Sequence, residues 1–499
     1  MKVLFQALQR AESSKLFLPG VIVFYLFVAW GNVGFHNPDE HFQIIEFAQY
    51  KSGIATLNDL AWEYNAKVRS GLQPAICFLI FRACRKVGIT DPYMLAFILR
   101  AITAILSVLI IKKFVETVKP EITERYRIVY AVMSFFLWFL PYINVRFSSE
   151  SWSGLFFLLS LSIILSQKQG TRRNDLLLGV LWGLTILFRY QSALLIAGTV
   201  LWLLFIRKTK AAALIIIFFS GLAVLMMGTL VDKWLYGSYA FVPYNYFRVN
   251  IMEDIASYYG VSPWYEIIFY IIRDPGPIGI FIFLSILILL VYQPRHIILW
   301  ACLPFLIAHA IIPHKELRFV FPVANLVPFL LILAYQQMII HGDFKRFKPL
   351  LQLIFVILLI SNMAGLIVVA TKAAGNTKAS LTAYIHYHYS NKAVNLLYLS
   401  RVNPYQDWAF PQNTFYRKVL LTEIITVWQE GITEKKRQGY TNLLVIPENE
   451  ITGPRTIARL KELHLVKVHQ TIPPIDQRII GWYKPSLNED NLILYEIGK

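Results

Sequence analysis

Long apolar stretches separated by short charged segments dominate this 499-residue chain as far as Thr371. A helix needs about 20 consecutive apolar residues to cross the hydrocarbon core of a bilayer. The pattern predicts eleven membrane segments: Leu16–Phe35, Pro92–Ile111, Ile128–Val145, Ser151–Gln167, Leu176–Phe188, Tyr190–Ile206, Ala211–Val231, Pro275–Pro294, Ile297–Pro313, Phe319–Ile340 and Pro349–Thr371. Since Leu176–Phe188 is too short to span a bilayer alone, one pair is a candidate broken or re-entrant helix.

The pattern changes after Thr371. Short apolar runs at Asn442–Pro447, Val466–Ile472 and Leu492–Ile497 predict strands, and Thr456–Leu465 has the spacing of a helix. We therefore expect an α-helical polytopic membrane protein with a small C-terminal α/β domain. The predicted boundaries are residues 1–372 for a transmembrane domain and residues 373–499 for a soluble extracytoplasmic domain.

Composition supports the membrane assignment. The chain is 56% hydrophobic and only 16% charged, with a mean hydropathy of +0.51. A soluble domain is nearer a quarter charged, so much of this surface must face something other than water. These values exclude a disordered chain and a secreted soluble enzyme. The three cysteines have neither disulfide-framework nor metal-ligand spacing.

The net charge of +18 indicates topology. In a soluble protein this excess would suggest nucleic acid, but polytopic proteins concentrate Lys and Arg in cytoplasmic loops. If each segment crosses once, the basic clusters all fall on one side, which we assign to the cytoplasm; they lie at residues 2–15, 112–127, 168–173, 207–210, 295 and 345–348. We expect membrane lipids as neighbours and no nucleic-acid partner. The opposite side receives residues 37–91, 146–150, 189, 232–274 and 314–318, and the tail.

An acidic motif, His36-Asn-Pro-Asp-Glu-His-Phe-Gln43, follows the first apolar segment. Its adjacent carboxylates, Asp39 and Glu40, stand between His36 and His41 where the chain leaves the bilayer. They are well placed to act on a substrate whose other half is lipid. The alternative is a solvated helix start, with a proline in the first turn and acidic residues favoured there by the helix dipole. Spacing alone does not decide between them.

A second cluster, His314-Lys-Glu-Leu-Arg-Phe319, lies between two apolar segments. Lys315 and Arg318 are three residues apart, so they share a face if the segment is helical. Two cations at a membrane surface can hold a lipid phosphate through charge-assisted hydrogen bonds. The alternatives are interfacial snorkelling or an ion pair with Glu316.

Other polar residues lie at predicted outer membrane ends. Arg146 and Arg189 lie so near hydrocarbon that each needs a partner or a task, unless it snorkels to the interface. Glu63 and Arg69 lie among aromatic residues of the first outer loop, which an interfacial belt would also explain. The alternating histidines of Tyr384–Tyr389 lack a third metal ligand, so we interpret that segment as a surface strand or loop.

Taken together, these motifs resemble those of the family 22 GT-C glycosyltransferases. That family comprises polyprenyl-phosphate-mannose-dependent mannosyltransferases that build GPI anchors and N-glycan precursors, with bacterial relatives. The resemblance rests on the acidic motif and, most of all, on His314–Phe319. It is reinforced by Trp62-Glu-Tyr64 with Arg69-Ser70, Phe188-Arg-Tyr-Gln191, Asp232 with Tyr236-Gly237, Pro243-Tyr-Asn245 and Tyr259-Gly-Val-Ser-Pro-Trp264.

The resemblance implies a GT-C fold and an inverting transfer of a sugar, mannose in the first instance, from a polyprenyl phosphate to a hydroxyl of a lipid-linked glycan or glycolipid. It makes Asp39 the catalytic base, with Glu40 orienting the acceptor or sharing that role. Lys315, Arg318 and Arg189 would bind the donor phosphate. The predicted substrate-binding residues are His36, His41, Glu63, Arg69, Arg146, Glu150 and His314. We expect no cofactor and no obligatory metal.

Two other functions remain open on sequence grounds. One is a GT-C enzyme that moves a different sugar, either arabinose or a hexose other than mannose. The other is a transporter or flippase. Transporters place polar groups near the midplane on repeat-related broken helices, whereas here they lie at outer ends and no repeat is visible. None of the nineteen asparagines lies in an Asn-x-Ser/Thr sequon and the C-terminal residues show no retrieval signal. These features favour a bacterial inner membrane, with the site facing the periplasm, over the ER lumen.

Overall fold

A computed structural model of the protein describes residues 15–166, 170–342, 348–375, 377–398, 402–407, 410–411, 413–417, 424–427, 435–451, 458, 460 and 463–498. The α-helices are α1 (Phe17–Gly31), α2 (Pro38–Glu40), α3 (Glu46–Lys51), α4 (Trp62–Ala66), α5 (Leu72–Lys86), α6 (Pro92–Val118), α7 (Glu124–Phe136), α8 (Phe139–Asn144), α9 (Ser149–Ser166), α10 (Arg172–Phe188), α11 (Ala193–Phe205), α12 (Ala211–Tyr236), α13 (Val242–Phe247), α14 (Ile255–Tyr258), α15 (Glu266–Ile272), α16 (Ile278–Tyr292), α17 (Ile297–Ile311), α18 (Val327–His341), α19 (Lys348–Thr371), α20 (Lys378–His388) and α21 (Pro474–Tyr483).

Other regular segments connect these helices or follow them. The 3₁₀ segments are Leu57–Asp59, Lys119–Glu121, Tyr190–Ser192, Leu317–Leu326, Glu448–Glu450 and Pro485–Asp490, and π-helical turns occur at His41–Ile45 and Arg248–Met252. The strands are β1 (Val394–Tyr398), β2 (Ile424–Val427), β3 (Thr441–Pro447), β4 (Leu465–Gln470) and β5 (Leu492–Ile497). The predicted class, a largely helical membrane chain with a small C-terminal sheet, is confirmed.

Within the described residues, five helical segments are long and apolar enough to cross a membrane: Pro92–Glu121, Ser149–Ser166, Ala211–Tyr236, Leu317–His341 and Pro349–Thr371. Shorter apolar helices are Phe17–Gly31, Tyr190–Phe205, Ile278–Tyr292 and Ile297–Ile311. These nine helices overlap nine of the predicted segments. Of the other two, Ile128–Val145 is divided between α7 and α8, and Leu176–Phe188 forms most of α10. The count of eleven spans stays a prediction.

The chain divides into two compact units. The first consists of Met1–Leu26, Glu63–Ile76 and Arg100–Leu366. Within it α10 packs against α9 and α12, α11 against α17, and α16 against α18, while α9 also packs on the 3₁₀ segment Leu317–Leu326. These contacts bring the ends of α9, of α10 and of Leu317–Leu326 close to one another.

The second unit consists of Phe27–Trp62, Cys77–Leu99 and Ile367–Lys499. Its five-stranded sheet has the order β2-β1-β3-β5-β4, with β1 parallel to β2 and β3 and with β5 antiparallel to β3 and β4. The strands β3, β4 and β5 coincide with the three predicted ones, whereas most of the predicted helix Thr456–Leu465 lies outside the described residues. The boundary after residue 372 and the extracytoplasmic location of the tail stay predictions.

The prediction of a surface strand or loop for Tyr384–Tyr389 is wrong, because this segment ends helix α20. Residues two positions apart in an α-helix are separated by about 200° around its axis, so His386 and His388 point in different directions. The His386 ring lies 2.6 Å from Asp91 Oδ2, while the His388 ring stacks on Tyr384. The two histidines therefore do not converge on one site.

Candidate active site

The acidic motif begins a helix, as its alternative interpretation predicts. Asn37 caps α2 by accepting a hydrogen bond from the Asp39 N–H at 3.0 Å, and Pro38 occupies the first turn. His36, Asp39 and Glu40 are all partly exposed. Helix N-termini stabilise carboxylates, and partial exposure leaves these two accessible, so a helix start is compatible with a catalytic role.

The next residue, His41, is enclosed by protein. It is 1% exposed, and its Nε2 lies 3.0 Å from Glu46 Oε1. Its ring stacks on Phe35 and Tyr416 with centroid distances of 5.3 Å in both cases. His41 therefore contacts neighbouring side chains in this structure, and its predicted role in binding substrate stays a prediction.

The first unit brings together Glu150, Arg189 and Arg318, which lie far apart in the sequence. Glu150 is in the first turn of α9, Arg189 directly follows α10, and Arg318 is the second residue of the 3₁₀ segment Leu317–Leu326. Glu150 Oε1 accepts a short hydrogen bond from Arg189 Nη1 and another from Arg318 Nη1 at 3.4 Å. One carboxylate thus interacts with the guanidinium groups of two buried arginines.

The Arg189 guanidinium has N–H donors that its described neighbours do not use. Its side chain is 5% exposed, and its Nε and Nη2 are buried without a hydrogen-bond partner among the described residues. The guanidinium carbon lies 5.1 Å from the centroid of the Phe319 ring. A buried guanidinium with unsatisfied N–H groups is costly, and an anionic ligand would satisfy it.

Arg318 also forms a paired interaction with Glu316. Its Nε and Nη2 each donate to a Glu316 oxygen at 2.8 Å. Burial opposes ionisation of Glu316, but the charge of Arg318 and the hydrogen bond from His314 outweigh it and hold the pKa of this carboxyl well below its usual range. Glu316 is therefore an anion that neutralises part of the local positive charge.

His314 faces two acceptors. Its Nδ1 lies 3.0 Å from the Gly260 carbonyl oxygen and its Nε2 lies 3.0 Å from Glu316 Oε1. A neutral imidazole has only one N–H, so satisfying both acceptors requires the doubly protonated ring. The hydrogen bond to Glu316 accordingly raises the pKa of His314. With this ring protonated, the cluster of His314, Glu316, Arg318, Glu150 and Arg189 has one net positive charge.

Lys315 points its ammonium group at the backbone. Nζ donates to the carbonyl oxygens of Ser262 at 2.9 Å, Ile312 at 2.6 Å and Pro313 at 3.4 Å. Burial lowers the pKa of this lysine. Lys315 and Arg318 do not share a helical face, because the 3₁₀ segment that contains Arg318 begins after Lys315. Lys315 as a phosphate ligand stays a prediction.

Glu63 lies in α4 and Arg69 follows this helix, in a segment that is bonded to the end of α12. Arg69 Nη2 is 3.8 Å from Glu63 Oε1, and the Arg69 carbonyl accepts a hydrogen bond from Tyr236 at 2.6 Å. The buried carboxylate of Asp232 accepts from the Gly71 N–H at 2.7 Å. This anchoring role of Asp232 was not predicted from the sequence, although an acid within a long apolar helix is a signal for it.

Arg146 is fully buried. Its guanidinium carbon lies 5.2 Å from the centroid of the Tyr142 ring, which is within the range of a cation–π interaction. Burial of this kind excludes simple snorkelling to the interface for Arg146.

The predicted site residues are distributed over both units. His36, Asp39, Glu40 and His41 belong to the second unit, and the other eight belong to the first. Among the described residues, no group of three His, Cys, Asp or Glu side chains is arranged to hold a metal ion. The expectation that no cofactor is needed stays a prediction.

Most of the chain matches a known protein family. Residues 16–402 match the model of the Alg9-like mannosyltransferase family. GPI mannosyltransferase 3 of Candida albicans is 24% identical over 348 residues, which cover 70% of this chain and 67% of that protein. GPI alpha-1,2-mannosyltransferase 3 of Danio rerio is 23% identical, with 65% of this chain and 60% of that protein covered. The chain thus spans roughly two thirds or less of these relatives.

Among solved structures, ArnT from Cupriavidus metallidurans bound to undecaprenyl phosphate is similar at 10% sequence identity and a TM-score of 0.48, with 97% of this chain and 98% of that chain covered.

Proposed function

The chain belongs to the Alg9-like mannosyltransferase family, and we propose that it transfers mannose from a polyprenyl-phosphate donor to a hydroxyl of a lipid-linked glycan or glycolipid. The family match supports an enzyme over a transporter. The observation that carries the donor assignment is Arg189, a buried cation with two N–H groups that no described residue satisfies, in a cluster that has one net positive charge when His314 is protonated.

A phosphate would complete this cluster. Its oxygens accept hydrogen bonds from guanidinium groups, and Arg189 offers Nε and Nη2 for that purpose. Arg318 contributes further positive charge, although Glu316 and Glu150 share it. As the sugar leaves, negative charge grows on the departing phosphate, and fixed cations in a water-poor site stabilise it effectively. Donor binding and leaving-group stabilisation would then use the same residues.

Asp39 is the proposed base. The acceptor oxygen attacks the anomeric carbon, the bond from that carbon to the phosphate oxygen breaks, and the hydroxyl proton passes to the Asp39 carboxylate. The products are the mannosylated acceptor, with inverted anomeric configuration, and the lipid monophosphate. A carboxylate is a weak base towards an alcohol, but the alcohol acidifies as the new bond forms. Positioned base catalysis of this kind contributes roughly 10²–10⁴-fold.

The charge pattern supports a site on the extracytoplasmic side of a multi-pass membrane protein. Basic clusters concentrate in the loops assigned to the cytoplasm, whereas the acidic motif and His314–Phe319 lie in the opposite loops. We propose the periplasmic face of a bacterial inner membrane, with the lumenal face of the ER as the alternative. His36, Glu40, Glu63, Arg69 and the other predicted substrate contacts belong to this same proposal.

The test is transfer of radiolabelled mannose from polyprenyl-phosphate mannose in membranes that contain wild type or Asp39→Asn. We expect the variant to lose at least about 100-fold in rate, because positioned base catalysis is worth that much. Asp59→Asn is the matched control, since Asp59 lies in the same outer loop at a 3₁₀ turn, and it should retain activity. Wild-type transfer by Asp39→Asn would exclude Asp39 as the base.

The donor site is tested separately with Arg189→Gln, which keeps a polar side chain but removes the cation. The expected result is a large loss of transfer. The identity of the sugar is tested with wild-type membranes supplied with polyprenyl-phosphate arabinose. Faster transfer from that donor than from the mannose donor would replace mannose in the proposal.

A further inference from the structure

The helix that contains the acidic motif is held by the C-terminal tail near its middle, beyond Asp39 and Glu40. This helix runs through α2, the π-helical turn His41–Ile45 and α3, all in the second unit together with the tail. Its anchor is Glu46, the first residue of α3, which is 0% exposed. A fully buried carboxylate is tolerated only where hydrogen bonds or charges satisfy it.

Among the described residues, the Glu46 carboxylate has three polar partners, and the tail supplies two of them. Thr414 Oγ1 donates to Oε2 at 3.1 Å and the Phe415 N–H donates to Oε1 at 3.2 Å. The third partner is the His41 ring, with Nε2 at 3.0 Å from Oε1. The carboxylate therefore joins the start of the π turn to a tail segment more than 360 residues further along the chain.

Three aromatic residues of the tail, Phe410, Phe415 and Tyr416, form what we call the aromatic clasp. Phe410 stacks on Phe42 at a centroid distance of 4.7 Å, and Tyr416 stacks on His41 at 5.3 Å. Phe415 lies 5.9 Å from the His41 ring centroid. The clasp thus covers the first two residues of the π turn.

The contact between His41 and Glu46 depends on the π geometry. Residues five apart in an α-helix are separated by about 500°, so their side chains point roughly 140° apart. A π turn closes its hydrogen bond at i→i+5, and here the Glu46 N–H donates to the His41 carbonyl. That closure brings residues 41 and 46 to one side of the helix. Satisfying Glu46 with both His41 and Thr414 therefore favours the π turn over a regular α-helix.

The π turn sets the direction of Asp39 and Glu40. Both precede it in the same helix, and an α-helix rotates by about 100° per residue. Replacing the π turn with α-helix would turn the acidic residues around the axis relative to α3. Displacements of about 1 Å at a reacting group can cost 10²-fold in rate. π turns also occur frequently at functional sites.

We infer that the tail residues Thr414, Phe415 and Tyr416 are positioning residues, which hold the π turn through Glu46 and His41 and thereby aim Asp39 and Glu40 at the acceptor. This inference rests on the proposed function, in which the acidic motif provides the base. The tail would then complete the active site, because it fixes the direction of the catalytic carboxylates.

The decisive variant is Thr414→Val, which keeps the shape of the side chain and removes the hydroxyl. Mannose transfer is measured with the full-length protein in membranes, as kcat and as KM for each substrate. Hydrogen exchange of peptides from residues 38–51 is measured in detergent. We expect kcat to fall about 10-fold or more, KM to change less than about 2-fold, and residues 41–46 to exchange faster. Thr414→Ser restores the hydroxyl and should restore kcat.

Thr471→Val is the matched control for loss of stability. Thr471 is a buried threonine of the tail, and its hydroxyl donates to Asn491 Oδ1 and accepts from the Leu492 N–H. It directly follows β4 and makes none of the contacts described for the helix of residues 38–51. We expect Thr471→Val to lower Tm while kcat per folded molecule and exchange of residues 41–46 stay at wild-type values.

The outcomes separate the two proposals. Inactive Asp39→Asn combined with wild-type kcat and unchanged exchange in Thr414→Val would overturn the positioning role and leave the proposed function standing. Active Asp39→Asn would overturn the assignment of the base. Slower turnover and faster exchange in Thr414→Val would even then support positioning of the acidic motif through Glu40. An equal loss of kcat in Thr471→Val and Thr414→Val would overturn the inference.

Discussion

Glu150 is the residue on which the pairing of Arg189 depends in this structure. Its side chain is 3% exposed and bonds to Arg189 and Arg318. Buried ion pairs add little net stability over apolar packing, but removing one partner leaves an uncompensated charge that costs about 3–5 kcal/mol. The sequence placed Glu150 near a membrane end without indicating which cations it pairs with.

Glu150→Gln should therefore lower the apparent Tm in detergent by roughly 5 °C or more, since each kcal/mol is worth about 2–4 °C in a domain of this size. Glu116→Gln is the control. Glu116 pairs with Lys112 at 2.8 Å, but both side chains are more than two-fifths exposed, and exposed pairs of this spacing contribute about 0.3–0.5 kcal/mol. Equal Tm values for the two variants would contradict the buried network.

His314 predicts a pH dependence. Its pKa is raised in the folded protein by the bond to Glu316, whereas an unfolded histidine titrates near about 6.5. A raised histidine pKa contributes stability that is fully present below the unfolded value and is lost as pH rises through the folded value. The Tm advantage of wild type over His314→Gln should be greatest near pH 5.5 and should shrink towards pH 9. A constant difference across melts in this range would refute protonation of this ring.

At the scale of helices, close backbone approach decides the packing. A Cβ added at Gly198 on α11 would lie 2.0 Å from the Trp300 carbonyl oxygen on α17. Helices α11 and α17 can therefore pack this closely only because residue 198 has no side chain. The apolar pattern predicted both helices but not which face of each one meets the other.

Gly198→Ala should destabilise the protein by about 1–3 kcal/mol or more, because the neighbouring atom belongs to backbone and the helices must separate. Gly20→Ala is the matched control: it also lies in an apolar helix, and nothing lies within 4 Å of its added Cβ. The control should keep or slightly raise Tm, since alanine is the better helix former. Thermal unfolding in detergent that leaves Gly198→Ala unchanged would exclude this close crossing.

At the scale of the whole chain, the tail is bonded to the end of the last apolar helix. Thr371, which ends α19, donates to both carboxylate oxygens of Asp476, at 2.8 and 2.9 Å. Burial raises the pKa of Asp476 to about 6, although the Thr371 hydrogen bond and the charge of Lys372 oppose the shift. The tail is thus attached at α19 as well as at the helix of the acidic motif.

Asp476→Asn should stabilise the protein at pH 8 and have little effect at pH 4. A raised carboxyl pKa means that the folded state binds more protons than the unfolded state between about pH 4 and 6, so wild-type stability falls as pH rises through that window. Asparagine stays neutral and still accepts the Thr371 hydrogen bond. Comparison of Tm at pH 4 and pH 8 tests this, and a variant less stable than wild type at pH 8 would contradict it.

Much of the molecule was predictable because the relevant signals are local. Apolar runs of sufficient length indicated helices such as α6 and α12, and short apolar runs indicated β3 and β5. Asn37-Pro38 followed by two acids indicated a helix start. These patterns reflect backbone hydrogen bonding and the transfer of apolar side chains out of water. Both effects depend on residues that are close together in the sequence. The strand or loop assignment at Tyr384–Tyr389 failed because helix and strand periodicities are hard to distinguish over so few residues.

The membrane class of the chain, its family and the residue types available for chemistry all follow from the amino-acid pattern. The link that Glu150 makes between Arg189 and Arg318, the two acceptors that His314 faces, and the contact of Thr414 with Glu46 follow from the packing of distant segments. Burial makes each polar group depend on a partner, and the partner is chosen by which elements pack together, so residues hundreds of positions apart in the chain become a single interaction.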